Sequence, residues 1–246
     1  MHVNTVFPDD WLAGLAVVLL FSFLSYFSKK IDGLGSMVGG VIAFSIFLGG
    51  AWPALLLLFL FFVLGSAASS WKYHTKVKLG LAEKNKGQRT SINALSNGGV
   101  AALCGLLAFL IPEIITFNLM LAASLASATS DTLSSELGNV YGKKYVNILK
   151  LKPDVRGNDG AISLEGTLIG LIGSAFIAIS YGLVSESTSI GVIVMIGVSG
   201  FVGNLMDSVL GASLQKSGRL TNHGVNFVST LFAALFAGGL WQLLSY

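Results

Sequence analysis

Every Lys and Arg of this 246-residue chain, 15 in all, falls within one of four short stretches: 29–30, 72–89, 143–156 and 216–219. The segments between them are apolar over lengths close to the ~20 residues that cross a bilayer as a helix. Read as helices, these runs give spans at about 11–28, 33–50, 52–71, 94–111, 113–136, 163–184, 190–212 and 225–244. The basic stretches are then the first, third, fifth and seventh connections, and the even connections and both termini carry no Lys or Arg. Because Lys and Arg near span ends favour the cytoplasmic side, an eight-span chain with both ends outside accounts for all of them. Adding or deleting one internal span would scatter them over both faces.

The expected fold is therefore an all-α polytopic membrane protein, one integral membrane domain over 1–246, placed in the cell membrane. Composition agrees: 53% of residues are hydrophobic and 11% charged, with a mean hydropathy of +0.76, against roughly 25% charged in soluble domains. The first residues, MHVNTVFPDD, hold no Lys or Arg. They lack the basic start of a secretory signal, so the first apolar run is expected to stay as a span. Cys104 is the single cysteine and forms no disulfide within the chain.

The acids divide in the same way. Asp9, Asp10, Glu113 and Glu186 fall outside, and the other eight face the cytoplasm. Asp131 and Asp207 stand out because each lies 17 residues after an apparent span start, at Ile114 and Ile190, or about 25 Å along a helix at 1.5 Å per residue. Around them runs a parallel internal repeat. A descending helix ends in Asp131-Thr132 or Asp207-Ser208, a basic loop follows, and Asn158-Asp159-Gly160 or Asn222-His223-Gly224 precedes the ascending helix. An earlier Asn97-Gly98-Gly99 opens the fourth span, and the steps between the Asn residues are 61 and 64 residues.

Asn is a preferred helix N-cap, and Gly lets ligands approach backbone N–H groups, so Asn-x-Gly helix starts on one face present donor-rich, dipole-positive ends suited to phosphate. Arg89 and Arg156, just ahead of two of them, add positive charge. Asp131, Glu136 and Asp207 supply the opposite sign, and a carboxylate within the membrane costs enough to need a partner or a task. Mg²⁺ takes one or two carboxylates together with phosphate oxygens and reconciles the two sets. Residues five apart sit about 140° around a helix, so Asp131 is the expected primary ligand and Glu136 a ligand or supporting group. A plain salt bridge to a loop cation is the competing reading of each acid.

The stretches RTSINALSNGG (89–99), ATSDTLSSELG (128–138), RGNDGAISLEGT (156–167), DSVLGASLQ (207–215) and NHGVN (222–226) together resemble a known membrane family. It is the one long filed as domain of unknown function ninety-two, which includes transmembrane protein nineteen and the plastid phytyl-phosphate kinase. Where relatives tend to read Thr-Asn-Gly-Gly in the third stretch, this chain has Gly157-Asn158-Asp159-Gly160. The resemblance implies a kinase of isoprenoid alcohols or their monophosphates that uses a nucleoside triphosphate, often CTP, and Mg²⁺ at the cytoplasmic face. It further implies that Asp131 and Asp207 bind Mg²⁺ or orient the attacking group, with Glu136 assisting. Arg89 and Arg156 then bind phosphate charge. Asn97, Gly98, Gly99, Asn158, Gly160, Asn222 and Gly224 hold phosphates, and Gln215 and Asn226 hydrogen-bond the base or ribose. His223 is an open candidate for acid–base work.

No GxxxxGK[ST] sequence is present, which excludes a P-loop nucleotide site. The expected partners are an isoprenoid lipid and the surrounding membrane lipids, with no nucleic acid. The Gly-x-x-x-Gly at Gly166 and Gly170 suits close helix packing within a chain or between copies. Two rival classes remain. A transporter of a small anion or lipid phosphate is favoured by the Gly-rich spans and the repeat, but disfavoured by acids crowding one surface instead of the midplane. A structural or assembly factor would use the basic loops only to hold anionic lipid.

Overall fold

The computed structural model describes residues 10–82, 87–114, 116–185 and 188–244. Asp9, Lys84, Lys86 and Glu186, which entered the charge argument, lie outside the described residues. The helices are α1 (Trp11–Phe27), α2 (Gly33–Ser70), α3 (Tyr73–Lys78), α4 (Ser91–Leu110), α5 (Thr116–Tyr141), α6 (Leu164–Val184), α7 (Ile190–Leu210) and α8 (Asn222–Leu244). Two short strands, β1 (Tyr145–Asn147) and β2 (Ala161–Ser163), pair antiparallel in the α5–α6 connection. α7 runs on into one π-helical turn, Gly211–Gln215.

This is an all-α membrane protein, and five of its helices are long and apolar enough to cross a bilayer: α2, α4, α6, α7 with its π turn, and α8. α1, at 17 residues, is slightly short of that length. α2 is not straight. Ala51 adopts φ 49° and ψ −150°, two residues before Pro53, which has no N–H to continue the ladder. The Lys30 ammonium donates to Ser70 Oγ at 3.0 Å, although 38 residues of straight helix would be about 57 Å long. The chain therefore doubles back at Ala51 into two antiparallel arms, matching the expected separate runs at 33–50 and 52–71.

α5 is the axis of the molecule. Every residue from 121 to 130 is buried, enclosed by α2, α4, α6, α7 and α8. Its Ala and Ser residues let neighbouring backbones approach closely, which is how membrane helices associate when lipid is as apolar as a side chain. The same hydroxyls lower its hydropathy, and shielding from lipid makes that tolerable. The glycines expected to pack helices do so within the chain. A Cβ on Gly166 would lie 3.1 Å from the Ser134 carbonyl, and one on Gly170 would lie 2.4 Å from Asn204 Nδ2.

Several boundaries differ from those expected. α4 begins at Ser91, where Asn93 Oδ1 accepts from the Thr90 N–H at 3.0 Å, so Asn97 lies inside the helix and does not open it. α5 continues ten residues past Asp131, to Tyr141, so this acid is inside a helix and not at its end. The segment 143–156, expected as a plain loop, contributes β1 and is braced by Tyr145, whose hydroxyl donates to the Gly138 carbonyl at 2.7 Å. Asp154 accepts from Asn158 Nδ2 (2.7 Å), the Val155 N–H (2.7 Å) and Asn147 Nδ2 (3.0 Å). These bonds pull its pKa from 3.8 down to about 2. Their support for the ribbon is full above the ordinary carboxylate range and fades as pH falls toward that value.

A close backbone approach couples the first arm of α2 to α4: a Cβ on Gly49 would sit 1.9 Å from the Gly105 carbonyl oxygen. Gly49→Ala is expected to cost about 1–3 kcal/mol by overpacking, seen as a lower melting temperature in detergent. Gly239→Ala, whose Cβ meets nothing within 4 Å, should melt like the parent. Equal melting of both variants and the parent would contradict this packing.

Candidate functional site

α5 and α7 run side by side in the same direction, and small residues set their distance. A Cβ on Gly200 would meet Ala126 at 2.5 Å, and one on Gly203 would meet Ser127 Oγ at 2.3 Å. Toward the basic end, Asn204 links three helices. Its Nδ2 donates to Ser130 Oγ at 3.0 Å, its Oδ1 accepts from Ser134 Oγ at 3.1 Å, and Ser130 Oγ donates to the Gly170 carbonyl of α6 at 2.8 Å. One turn beyond Asn204 is Asp207, which lines the same two clefts as Asp131. Ser229 of α8 donates to Asp207 Oδ2 at 3.2 Å. The two repeat-related acids thus form one pair.

Two polar clefts meet at this pair. The first, about 190 Å³, lies under the β1–β2 ribbon and is lined by Ser134, Asn158, Gly160, Asn204 and Gln215 among others. The second, about 140 Å³, lies toward α4 and is lined by Arg89, Asn93, Asn97, Thr132, Glu136 and Asn226. Asp131, Ser135, Asp207 and Asn222 border both. Of the residues read from the sequence, Asp131, Glu136, Asp207, Arg89, Asn97, Asn158, Gly160, Gln215, Asn222 and Asn226 therefore line these two adjoining clefts.

Each is held by identifiable contacts. Arg89 is fixed through its backbone, its N–H donating to the Lys30 carbonyl at 3.0 Å and its carbonyl accepting from the Asp32 N–H at 2.9 Å. Its guanidinium lies 4.9 Å from the centre of the Phe61 ring and occupies space left by Gly65, where a Cβ would meet Nη2 at 2.2 Å. Asn97 donates to the Asn93 carbonyl at 3.0 Å and accepts from Asn226 Nδ2 at 3.3 Å, joining α4 to α8 beside the acids. Gln215 Nε2 donates to Asp159 Oδ1 at 2.9 Å, which gives Asp159 a definite task in pinning the π turn to the ribbon. Gly160 has φ +76°, and a Cβ there would meet Ala212 at 2.3 Å, so glycine is required on both counts.

Other expectations need correcting. Of the Asn-x-Gly elements only Asn222 starts a helix, and there Thr221 Oγ1 accepts from the Gly224 N–H at 3.2 Å; Asn158 precedes β2 in a turn. Gly98 packs on Ile42 and Gly99 on Phe227, which makes them spacers between helices. Arg156 donates to the Gly142 carbonyl at 2.7 Å and lies over the Tyr145 ring; it lines neither cleft, so it braces the ribbon. His223 also lines neither cleft. Glu136 is buried and paired with Lys76, and Ser69 Oγ donates to it at 2.9 Å. The buried Lys76 ammonium also donates to the Ala68 and Ser69 carbonyls at 2.9 Å each. The 140° offset from Asp131 is what turns Glu136 toward α3.

Lys76 and Asn204 escaped the sequence reading. Asn204, a lone amide in an apolar run, carried a usable signal, since polar groups inside a membrane need partners. Lys76 did not, because it lies among loop lysines that only mark topology. Among the described residues no group of three or more His, Cys, Asp or Glu side chains gathers as a metal cage. The Asp131–Asp207 pair supplies hard oxygen donors from two carboxylates, which fits Mg²⁺ completed by phosphate and water, the usual manner of Mg²⁺ at phosphate sites.

The Lys76–Glu136 pair gives a direct stability test. Lys76→Met leaves Glu136 buried without a counter-charge and should cost about 3–5 kcal/mol, read as a lowered melting temperature. Lys76→Met with Glu136→Gln should regain most of the loss. A single variant that melts like the parent would contradict a buried, paired lysine.

Comparison with known proteins agrees with this architecture. The family model described as integral membrane protein DUF92 matches residues 16–234. An uncharacterized membrane protein of Synechocystis is 34% identical over 253 residues, covering 96% of each chain. An uncharacterized membrane protein of Methanocaldococcus jannaschii is 31% identical over 258 residues, covering 100% of this chain and 99% of that one. Protein VTE6, chloroplastic, of Arabidopsis thaliana is 33% identical over 189 residues, covering 74% of this chain and 56% of that protein. No solved structure matches. With the family match spanning most of the chain and two relatives aligned nearly end to end, the chain belongs to the DUF92 family of integral membrane proteins.

Proposed function

We propose that this protein is a membrane-embedded phosphotransferase that moves the terminal phosphoryl group of a nucleoside triphosphate, CTP by preference, to an isoprenoid alcohol or monophosphate. One observation carries the reading: Asp131 and Asp207 both lie at the junction of two polar clefts, one bordered by Arg89 and the other by Asn158, Gly160 and Gln215. Phosphoryl transfer needs little covalent work from the protein; it needs charge neutralised and oxygens aligned. Two clefts meeting at paired carboxylates suit a donor on one side and an acceptor on the other. Asp131, Asp207, Arg89, Asn158, Gly160 and Gln215 are all among the positions implied by the family resemblance. The basic end, where Lys30 meets Ser70, Lys72 lies over Tyr141 and Lys76 pairs with Glu136, is assigned to the cytoplasm by its positive charge.

In this account Asp131 and Asp207 hold Mg²⁺, whose chemistry is to offset charge on the transferring phosphoryl group. Arg89 balances the acceptor side, and Gln215, with the Gly160 backbone, borders the donor. The acceptor oxygen attacks the terminal phosphorus, the bond to the bridging oxygen breaks, and a nucleoside diphosphate leaves. When the acceptor oxygen carries a proton, the carboxylate beside it, Asp131 or Asp207, takes that proton.

The test is transfer of label from CTP, labelled in its terminal phosphate, to phytyl or farnesyl phosphate, or to the alcohols, by purified protein across a Mg²⁺ titration. Asp131→Asn and Asp207→Asn should each lower turnover by about 10²–10³-fold, the scale for losing a preorganised charge, while melting close to the parent. Near-normal turnover in both variants would remove the site. Flux of a lipid phosphate into liposomes without a labelled product would favour a transporter.

A further inference from the structure

The turn at the far end of the ribbon presents apolar side chains to the outside. Leu149 is 51% and Leu151 78% exposed, and they alternate with exposed Lys150 and Lys152. The turn is tightly built around the buried Asn147. Asn147 Oδ1 accepts from the Leu149 and Lys150 N–H groups at 3.1 Å each. Its carbonyl accepts from the Leu151 N–H at 2.8 Å, and its own N–H donates to the Lys152 carbonyl at 2.9 Å. Leu151 is thereby held at φ +52°, a left-handed conformation natural to Gly or Asn and costly for a side chain as large as leucine. Nothing within the chain repays that cost by burying it, so its apolar surface is kept for contact with something outside.

The ribbon carries this turn to the rim of the helix bundle. Its root stands on the central helix, where Tyr145 donates to the Gly138 carbonyl of α5. Its other end crosses α7, where Gly160 packs against Ala212 of the π turn. Ile148, which opens the turn, donates to the Gly160 carbonyl at 3.0 Å, so the turn leaves the ribbon beside the end of α7. That helix lies at the perimeter, with Val194 and Val198 exposed on a span long and apolar enough to cross the bilayer. Charge points to an anionic surface there. The segment 143–156 holds Lys143, Lys144, Lys150, Lys152 and Arg156 against one acid, Asp154, which is engaged by Asn147, Asn158 and the Val155 N–H. Lys150 and Lys152 make no ion pair among the described residues.

We propose that the turn is an interfacial anchor: Leu149 and Leu151 enter the boundary between head groups and acyl chains of an anionic leaflet, and Lys150 and Lys152 bind its phosphates. Leucines interleaved with lysines suit that boundary, since the apolar groups leave water while the ammonium groups reach the head groups. The position over the rim of α7 favours lipid over a soluble partner. The anchor fixes the ribbon, which roofs the first cleft, to the membrane surface, and it stands whether or not the protein transfers phosphate.

The experiment places a nitroxide on Leu149→Cys of the full chain in nanodiscs of phosphatidylcholine and phosphatidylglycerol in equal parts. Its collision rates with oxygen, which concentrates in the bilayer, and with a water-soluble nickel chelate report immersion. The parent chain, whose only cysteine is the buried Cys104, gives the background. The label should collide mainly with oxygen. Lys150→Gln combined with Lys152→Gln should shift the balance between immersed and aqueous label by about tenfold or more, the scale of two lysines at an anionic surface, and nanodiscs of phosphatidylcholine alone should do the same. Leu151→Asn, which keeps a residue tolerant of the left-handed backbone, should also expose the label to the chelate while melting in detergent at or above the parent. An aqueous label in the anionic nanodiscs would overturn the anchor, as would immersion unchanged by these substitutions or by the loss of anionic lipid. Leu151→Asn melting below the parent would return Leu151 to the core and overturn it too. Broadening between labels that disappears on dilution with unlabelled chain would assign the turn to a second copy instead of lipid.

Discussion

The close packing around α5 is the constraint on which the rest depends. A helix buried along 121–130 meets no lipid, so it can carry hydroxyls that an exposed span could not. Ser130 and Ser134 find partners in Asn204 and the Gly170 carbonyl. Gly200 and Gly203 bring α7 close enough for these bonds to form. The same separation delivers Asp207 to Asp131. A larger residue at either glycine would part the helices and, with them, the carboxyls.

The two acids lie between clefts of different origin. The α5–α6 ribbon and the π turn after Leu210 enclose one side, with Gln215 joined to Asp159. The start of α4 and the start of α8 enclose the other, joined through Asn97 and Asn226. The π turn coincides with the stretch DSVLGASLQ, and single π turns inside helices are frequent at functional sites. Widening the helix by one residue per turn there brings Gln215 into the cleft that Asp207 borders.

The all-α membrane fold was legible because apolar length adds along the chain. The reversal at Ala51 falls at the boundary expected between the runs 33–50 and 52–71. Asp131 and Asp207 were legible because a charge in an apolar helix is costly enough to demand a reason. The Asn-x-Gly elements were misread because capping preference is weak beside tertiary context. Asn93 secures the start of α4 instead, and Asn97 is spent on an interhelix bond. The partner of Glu136 could not be foreseen, since nothing in the local sequence separates Lys76, which folds inward, from the lysines that remain in water. The role of Arg156 was lost for the same reason: a guanidinium that braces a ribbon and one that binds phosphate read alike in one dimension.

The central claim is that Asp131 and Asp207 act as one divalent-cation and phosphate site, and binding of Mn²⁺ measured by electron paramagnetic resonance tests it most directly. In the presence of a non-hydrolysable CTP analogue, the account predicts saturable Mn²⁺ binding to the purified protein. That binding is displaced by Mg²⁺ and abolished by Asp131→Asn and by Asp207→Asn, with both variants still folded. Binding of undiminished affinity in the two variants would contradict it.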